Sequence, residues 1–323
     1  MLLFSDMLPI VLGAIILDAL AGDPRWLWSR LPHPVVIMGA AISLLDRRLN
    51  KPAFSSEQRR LYGSIALLLL LAISSLIGLL VHWFASQIPF GWLLEVLAGF
   101  TLIAQRSLYD HVKAVKDGLM DEGLEGGRKA VSMIVGRDPA QLNESGIARA
   151  AIESCAENFS DGVVAPIFWF LILGLPGLIA YKAVNTADSM IGHKNQRYSD
   201  FGWASARFDD LVNLPASRLA GLLIAISAPV AKGSPLFAVK TIFKDAAKHR
   251  SPNAGWPESA MAGALDIALA GPRIYPGYSV DDAFLNAFGR QTIGVSAISD
   301  SLKILQASCT LLAILVVIVA LSP

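Results

Sequence analysis

The chain is 323 residues long, 54% apolar and only 16% charged, where a soluble domain carries about 25% charged residues. Its 27 basic and 26 acidic side chains leave a net charge of +1, too little field to attract a polyanion, so no nucleic-acid partner is expected. A mean hydropathy of +0.52 excludes a disordered chain and an ordinary cytosolic enzyme, and makes lipid the solvent for much of the surface.

From the N-terminus, 7–22 is an apolar stretch interrupted by Asp18. The residues before it include Asp6 and no Lys or Arg. The basic region of a cleaved signal peptide is therefore missing, and the stretch reads as a retained helix. Asp18, an ionisable group inside an apolar helix, is a functional candidate by default. His33 precedes Pro34, which predicts an extended or turn residue; a structural role outweighs that of a base. The stretch 61–94 holds no Asp, Glu, Lys or Arg. It predicts a hairpin: a helix over 62–82, a turn through Ser86, Gln87, Pro89 and Gly91, and a return over 91–105. Trp83 and Trp92 would flank the turn at headgroup level.

Further along, Asp138-Pro139 with Gln141 at the capping-box position predicts a helix running to Asn158. The stretches 162–181 and 304–323 are each twenty residues without a charge, enough for one crossing. The stretch 219–231 is short for a crossing and reads as partly inserted or re-entrant. Lys240, Lys244 and Lys248 line one face of 236–250 and predict either a helix resting on an anionic leaflet or the solvated face of a helix on a folded loop. No strand pattern of period two persists. Cys155 and Cys309 form no C-x-x-C pair and read as small apolar side chains. The fold class expected is an all-α integral membrane protein. It has five to six hydrophobic segments, some re-entrant, and helical polar cytosolic loops, in one polytopic domain over 1–323.

The basic loops 23–60, 106–161 and 232–303 belong in the cytosol by the positive-inside rule. The uncharged turn 84–91 and both termini then face out. The stretch 182–218, with five basic side chains, fits this scheme if 162–181 dips and returns, as Pro166, Gly174, Pro176 and Gly177 would permit.

Two clusters carry chemistry. Glu153, Glu157 and Asp161 fall at i, i+4, i+8, one face of a helix, with Asn158 beside them. Carboxylates so placed repel unless a cation sits among them: a hard ion such as Mg2+, or Arg149, four residues before Glu153; otherwise they are solvated acids. The second runs from Lys182 through Asn185, Asp188, His193 and Lys194 to Arg207, Asp209 and Asp210. Polar density of this kind between hydrophobic segments is costly unless it folds into a site. Lys182, Lys194 and Arg207 suit phosphate; Asp188, Asp209 and Asp210 suit a metal. A third polar turn holds His249, Asn253, Trp256 and Glu258, where Trp256 stacks on a planar ligand or anchors the loop. No Walker loop, G-x-G-x-x-G, H-E-x-x-H or G-x-S-x-G motif is present.

These strings resemble one family: Gly22-Asp23-Pro24; His33-Pro34 with Met38-Gly39; Val135-Gly136-Arg137-Asp138; Glu153 to Asp161-Gly162; Lys182 to Gly192; Phe201-Gly202-Trp203 to Asp209-Asp210; and His249 to Glu258. Over about 18–265 the chain resembles the CbiB/CobD family of cobalamin biosynthesis, the membrane-bound adenosylcobinamide-phosphate synthases. The resemblance implies an ATP-dependent ligase that joins adenosylcobyric acid to aminopropanol or its O-phosphate. The corrinoid is then a substrate and no prosthetic group, and ATP and Mg2+ are required. On that reading Glu157, Asp161 and Asp188 hold Mg2+. Asn158, Lys182, Asn185, Lys194, Arg207 and Trp256 contact substrate or phosphate. Glu153 or Asp210 is the base, with Asp18 a further catalytic candidate. A bacterial inner-membrane location, an active site on the cytosolic face and association with later cobalamin-assembly enzymes follow as expectations. The rival readings are a transporter and a non-catalytic sensor of a corrinoid or other polar ligand.

Overall fold

The computed structural model describes residues 7–136, 139–275, 278–280 and 282–321. In chain order the helices are α1 Met7–Ala21, α2 Arg25–Trp28, α3 Pro34–Leu49, α4 Ser56–Ser86, α5 Trp92–Phe100, α6 Gln105–Asp121 and α7 Gly123–Val131. Then come α8 Glu144–Phe159, α9 Ala165–Ile191, α10 Trp203–Val212, α11 Leu214–Ser227, α12 Pro235–Asp245 and α13 Gly255–Leu265. Four short strands follow, β1 Leu269–Ala270, β2 Arg273–Tyr275, β3 Tyr278–Val280 and β4 Phe284–Leu285, before α14 Val295–Leu321. Among the described residues, four helical runs are long and apolar enough to cross a membrane: Ser56–Ser86, Glu144–Ile191, Leu214–Ala231 and Val295–Val319.

The chain forms two compact units. One takes in residues up to 104, 165–213 and 316 onward; the other takes in 105–164 and 214–315.

In the first unit, α4 starts earlier than its apolar stretch because Ser55 caps it. The Ser55 hydroxyl accepts the Gln58 N–H while the Gln58 side chain accepts the Ser55 N–H. The helix is 31 residues long, about 46 Å at 1.5 Å per residue. Its residues Leu68, Leu69, Ile73, Leu76, Ile77 and Leu80 are exposed, as a lipid-facing surface requires. Its other side packs closely: a Cβ on Gly78 would stand 2.5 Å from the Pro176 Cα, and one on Gly63 would stand 1.9 Å from the Phe201 oxygen. Ile42, Ala66, Leu70, Ala187, Ile191 and Phe201 form one buried cluster, and Leu67, Val184 and Ala204 another.

Helix α9 is broken. Gly174 has φ 64° and ψ −158°, a conformation essentially confined to glycine. Pro176 sits just beyond it, in the first turn of the second arm. A Cβ on Gly177 would lie 2.7 Å from the Trp169 oxygen. Eight residues along a straight helix are about 12 Å apart, so the chain bends sharply here, and Trp169 and Leu173 of the first arm share a cavity wall with Ala180, Tyr181 and Val184 of the second, which puts 175–191 back along 165–173.

In the second unit, α6 packs on α7 and α8, and α13 packs on α11 and α12. A π-turn, Ser160–Val164, follows α8. Strand β1 pairs antiparallel with β4, and β2 with β3. The Ser308 hydroxyl of α14 donates to the Ser227 hydroxyl of α11 at 3.0 Å, both buried.

Several expectations are corrected. The return helix expected over 91–105 is α5, nine residues long. At about 14 Å it falls short of the ~30 Å apolar core, because the chain turns at Thr101 and α6 begins at Gln105. Pro139–Gln141 is one 3-10 turn; α8 begins at Glu144, with the Asn143 side chain accepting the Gly146 N–H. Asp138 lies outside the described residues. The short stretch 219–231 is part of a longer helix that starts at Leu214. The row of lysines on 236–250 is cut at Asp245, where α12 gives way to a 3-10 turn, Ala246–Lys248. The four strands escaped notice because none exceeds three residues.

Candidate active site

In the first unit the second arm of α9 and helix α10 bring the polar cluster together. Lys182, Asn185 and Asp188 stand on α9, while Arg207, Asp209 and Asp210 stand on α10. The stretch 182–210 is thus helical at both ends, and only 192–202 connects them.

Gly192 makes room for Asp188: a Cβ there would lie 1.9 Å from the Asp188 Oδ1. Asp209 is 7% exposed. Asn213 donates Nδ2 to its Oδ2 at 2.9 Å, and Asn185 reaches its Oδ1 at 3.5 Å. Asn213, itself fully buried, accepts the Tyr181 hydroxyl at 2.9 Å. Tyr181 also lines an apolar cavity of about 340 Å3 with Leu71, Trp169, Pro176 and Phe208. Burial, with the Asp188 carboxylate second, pushes Asp209 up to about 7 against the pull of the two amides. Burial also raises Asp210, while Arg207 and Lys194 oppose it; the Arg207 guanidinium stands 4.0 Å from its Oδ2. Three carboxylates therefore share one neighbourhood, flanked by two exposed cations.

His33 and Asp18 are in the same unit. His33 caps α3, its Nδ1 accepting the Val35 N–H at 3.2 Å, which is the structural role expected of it. Asp18 is 2% exposed. The sequence reading passed over Glu95, which is 4% exposed and 2.6 Å from the His82 Nδ1.

In the second unit, the face of Glu153, Glu157 and Asp161 is split by burial. Glu153 is 4% exposed and its Oε1 accepts the Ala270 N–H at 2.8 Å. Arg149, one turn before it, donates to the Ala268 and Gln291 carbonyls. This end of α8 fastens the segment around β1. Glu157 is exposed, and Asp161, in the π-turn, is half-buried. Asn158 is exposed and donates to the Ser154 oxygens.

The motif around Trp256 is a built polar cluster. The Asn253 Oδ1 accepts from Ser217 at 3.0 Å and from Arg218 at 2.9 Å. The Arg218 guanidinium lies 4.6 Å from the Trp256 ring centre. His249 stands 3.6 Å from the buried Glu258. One face of Trp256 is thus taken by an arginine within the chain.

Among the described residues, no three His, Cys, Asp or Glu side chains form a ready-made metal cage. Mg2+ needs none, since one or two carboxylates and substrate phosphates suffice. Sequence reasoning reached every acid of the α9–α10 cluster but missed Tyr181 and Asn213. The signal available was the i, i+4 spacing of Asp209 and Asn213, the residue that ends α10.

The family described as CobD/Cbib protein matches residues 11–305. A protein named cobalamin biosynthesis protein CobD from a Sinorhizobium species is 52% identical, covering 98% of this chain and 99% of its own. Proteins of the same name from Brucella anthropi and Rhodobacter capsulatus are each 47% identical, covering 95% and 88% of this chain, and 95% and 87% of their own lengths. No solved structure matches. The chain belongs to the CobD/CbiB family of cobalamin biosynthesis proteins.

Proposed function

We propose that the chain is an ATP-dependent amide ligase joining a carboxylate of adenosylcobyric acid to the amine of aminopropanol or its O-phosphate. The observation that carries this reading is the α9–α10 cluster, where Asp188, Asp209 and Asp210 lie beside Lys194 and Arg207. The donor set fits a hard cation: all oxygen, with carboxylates that repel one another until a cation joins them. When bound, Mg2+ would neutralise charge on the phosphoryl group being transferred. Asp188 is the ligand favoured in this unit, with Glu157 and Asp161 as the accessible acids of the other.

The chain's own residues supply the rest. The carboxylate oxygen attacks the γ-phosphorus of ATP, the bond to ADP breaks, and an acyl phosphate forms. Lys194 and Arg207, with Lys182, hold the phosphoryl oxygens. The amine then attacks the acyl carbon, the C–N bond forms, phosphate departs, and the ammonium proton passes to a base. Of the two bases open in the sequence, Asp210 is favoured, because Glu153 is buried and committed to the Ala270 amide. Asp209, gripped by two amides, positions the cluster.

The test is ADP release by purified protein in lipid with Mg2+, adenosylcobyric acid and aminopropanol phosphate, omitting each in turn. Release that needs both organic substrates and yields an amide supports the ligase. Corrinoid binding without turnover favours a carrier instead, a second reading drawn from the broken helix at Gly174. Later cobalamin-assembly enzymes remain the proposed partners.

A further inference from the structure

The end of α3, the turn into α4 and the 195–197 loop border an open cavity of about 720 Å3 in the first unit. Four lining side chains are cationic, Arg47, Lys51, Arg59 and Arg197, and amides come from Asn50, Asn195 and Gln196. No carboxylate lines it among the described residues.

Several of these groups are held in place. Arg59 donates Nε to the Phe54 carbonyl at 3.2 Å and Nη2 to the Pro52 carbonyl at 3.3 Å. Arg197 donates Nη2 to Asp46 at 2.6 Å and lies 5.3 Å from the Tyr198 ring centre. Asp46 is 6% exposed. Asn50 donates Nδ2 to the Asp46 Oδ1 at 2.9 Å and to the Arg197 carbonyl at 3.2 Å, tying the loop to α3. Arg47, Lys51 and Arg59 have no carboxylate partner among the described residues. The C-terminal dipole of α3 accounts for Arg47, but not for Lys51, Arg59 and Arg197 facing the same space. Asp46 balances one of the four cations, so positive charge remains uncompensated in a concave site.

We propose that this cavity binds a polyphosphate or phosphate-ester group. Guanidinium forks match phosphate oxygens two at a time, and a lysine adds a point charge. The phosphate comes from a free polyphosphate such as a nucleotide tail, or from the headgroup of an anionic phospholipid. The inference stands on the cavity alone and needs no ligase activity.

The experiment uses the full chain in phosphatidylcholine nanodiscs, titrated calorimetrically with inorganic tripolyphosphate without Mg2+. The variant is Arg47→Gln with Lys51→Gln. The charge-matched control is Lys113→Gln with Lys303→Gln, which are ion-paired elsewhere. Saturable binding, weakened about tenfold or more in the first variant and unchanged in the control, assigns a free-polyphosphate site. Silence with tripolyphosphate, but retention of phosphatidylglycerol in native mass spectra by the wild type and the control and not by the variant, assigns the headgroup. Neither ligand bound, or either bound equally by all three proteins, overturns the proposal. Unchanged elution in size-exclusion chromatography shows that the variants are folded.

Discussion

Asp209 is the residue whose environment makes the sharpest demand. Its folded pKa, about 7, lies above the ordinary 3.8. Between those values the folded chain holds a proton that the unfolded chain has released. The stability that Asp209 contributes is therefore fully present below pH ~4, falls as pH rises toward about 7, and levels off beyond. The fall is at most about 1.4 kcal/mol per pH unit. Thermal unfolding of the Mg2+-free protein across pH 5–8 should show Tm declining for the wild type, with a flatter profile for Asp209→Asn. Parallel profiles would mean that the carboxylate is already ionised at pH 5. Asp210 is tested by kinetics. Asp210→Asn should lower kcat by about 10²–10⁴-fold with KM for the amine little changed; an unaltered kcat would remove it as the base. The acids of this site were legible because charge between apolar segments is costly and so stands out. Tyr181 and Asn213 were not, because a tyrosine and an asparagine at a helix end have many ordinary uses and only the fold-back of α9 makes them part of the cluster.

At the scale of the element, the break in α9 sets the geometry of the site. Gly174 combines φ 64° with ψ −158°, and any side chain there strains the backbone by about 1–3 kcal/mol. Gly174→Ala should lower Tm and reduce turnover together, since the arm carrying Lys182, Asn185 and Asp188 would lose its angle. Gly136→Ala, where a Cβ meets nothing within 4 Å, should shift stability by less than about 0.5 kcal/mol. Equal Tm values for the two variants would show that the turn does not depend on glycine. The break was readable in advance from Gly174, Pro176 and Gly177 inside one apolar stretch. So were the long helices, whose apolar runs exceed what a soluble core needs. Helix ends were less legible. The expectation for α8 relied on Asp138-Pro139, when Asn143 is the cap. The return after Trp92 was drawn to full length because apolar residues continue past Phe100, though the chain stops being helical there. Hydropathy reports the solvent of a side chain, and it does not report where the backbone turns.

At the scale of the whole molecule, the fold-back bears on which side of the membrane the chemistry faces. A straight crossing by 162–181 would put 182–218 outside, with its five basic side chains and away from cytosolic ATP. Trp169 of the first arm instead lines one cavity with Ala180, Tyr181 and Val184 of the second, and its Nε1 donates to the Val212 carbonyl at 3.1 Å, so the first arm lies beside the second. The second arm therefore returns toward the end from which the first set out. If the chain enters the first arm from the cytosolic side, as the basic residues before it indicate, the 192–202 loop is cytosolic too. Asn195, exposed in that loop, is the position to label. Asn195→Cys in a Cys309→Ser background leaves Cys155 as the other thiol, and Cys155 is fully buried. In intact, right-side-out cells an impermeant maleimide should leave the protein unlabelled, and permeabilised cells should label fully. Labelling in intact cells would place the loop outside, beyond the reach of ATP. The α9–α10 carboxylates could not then be the site of a cytosolic ligase, and the broken helix would have to serve transport.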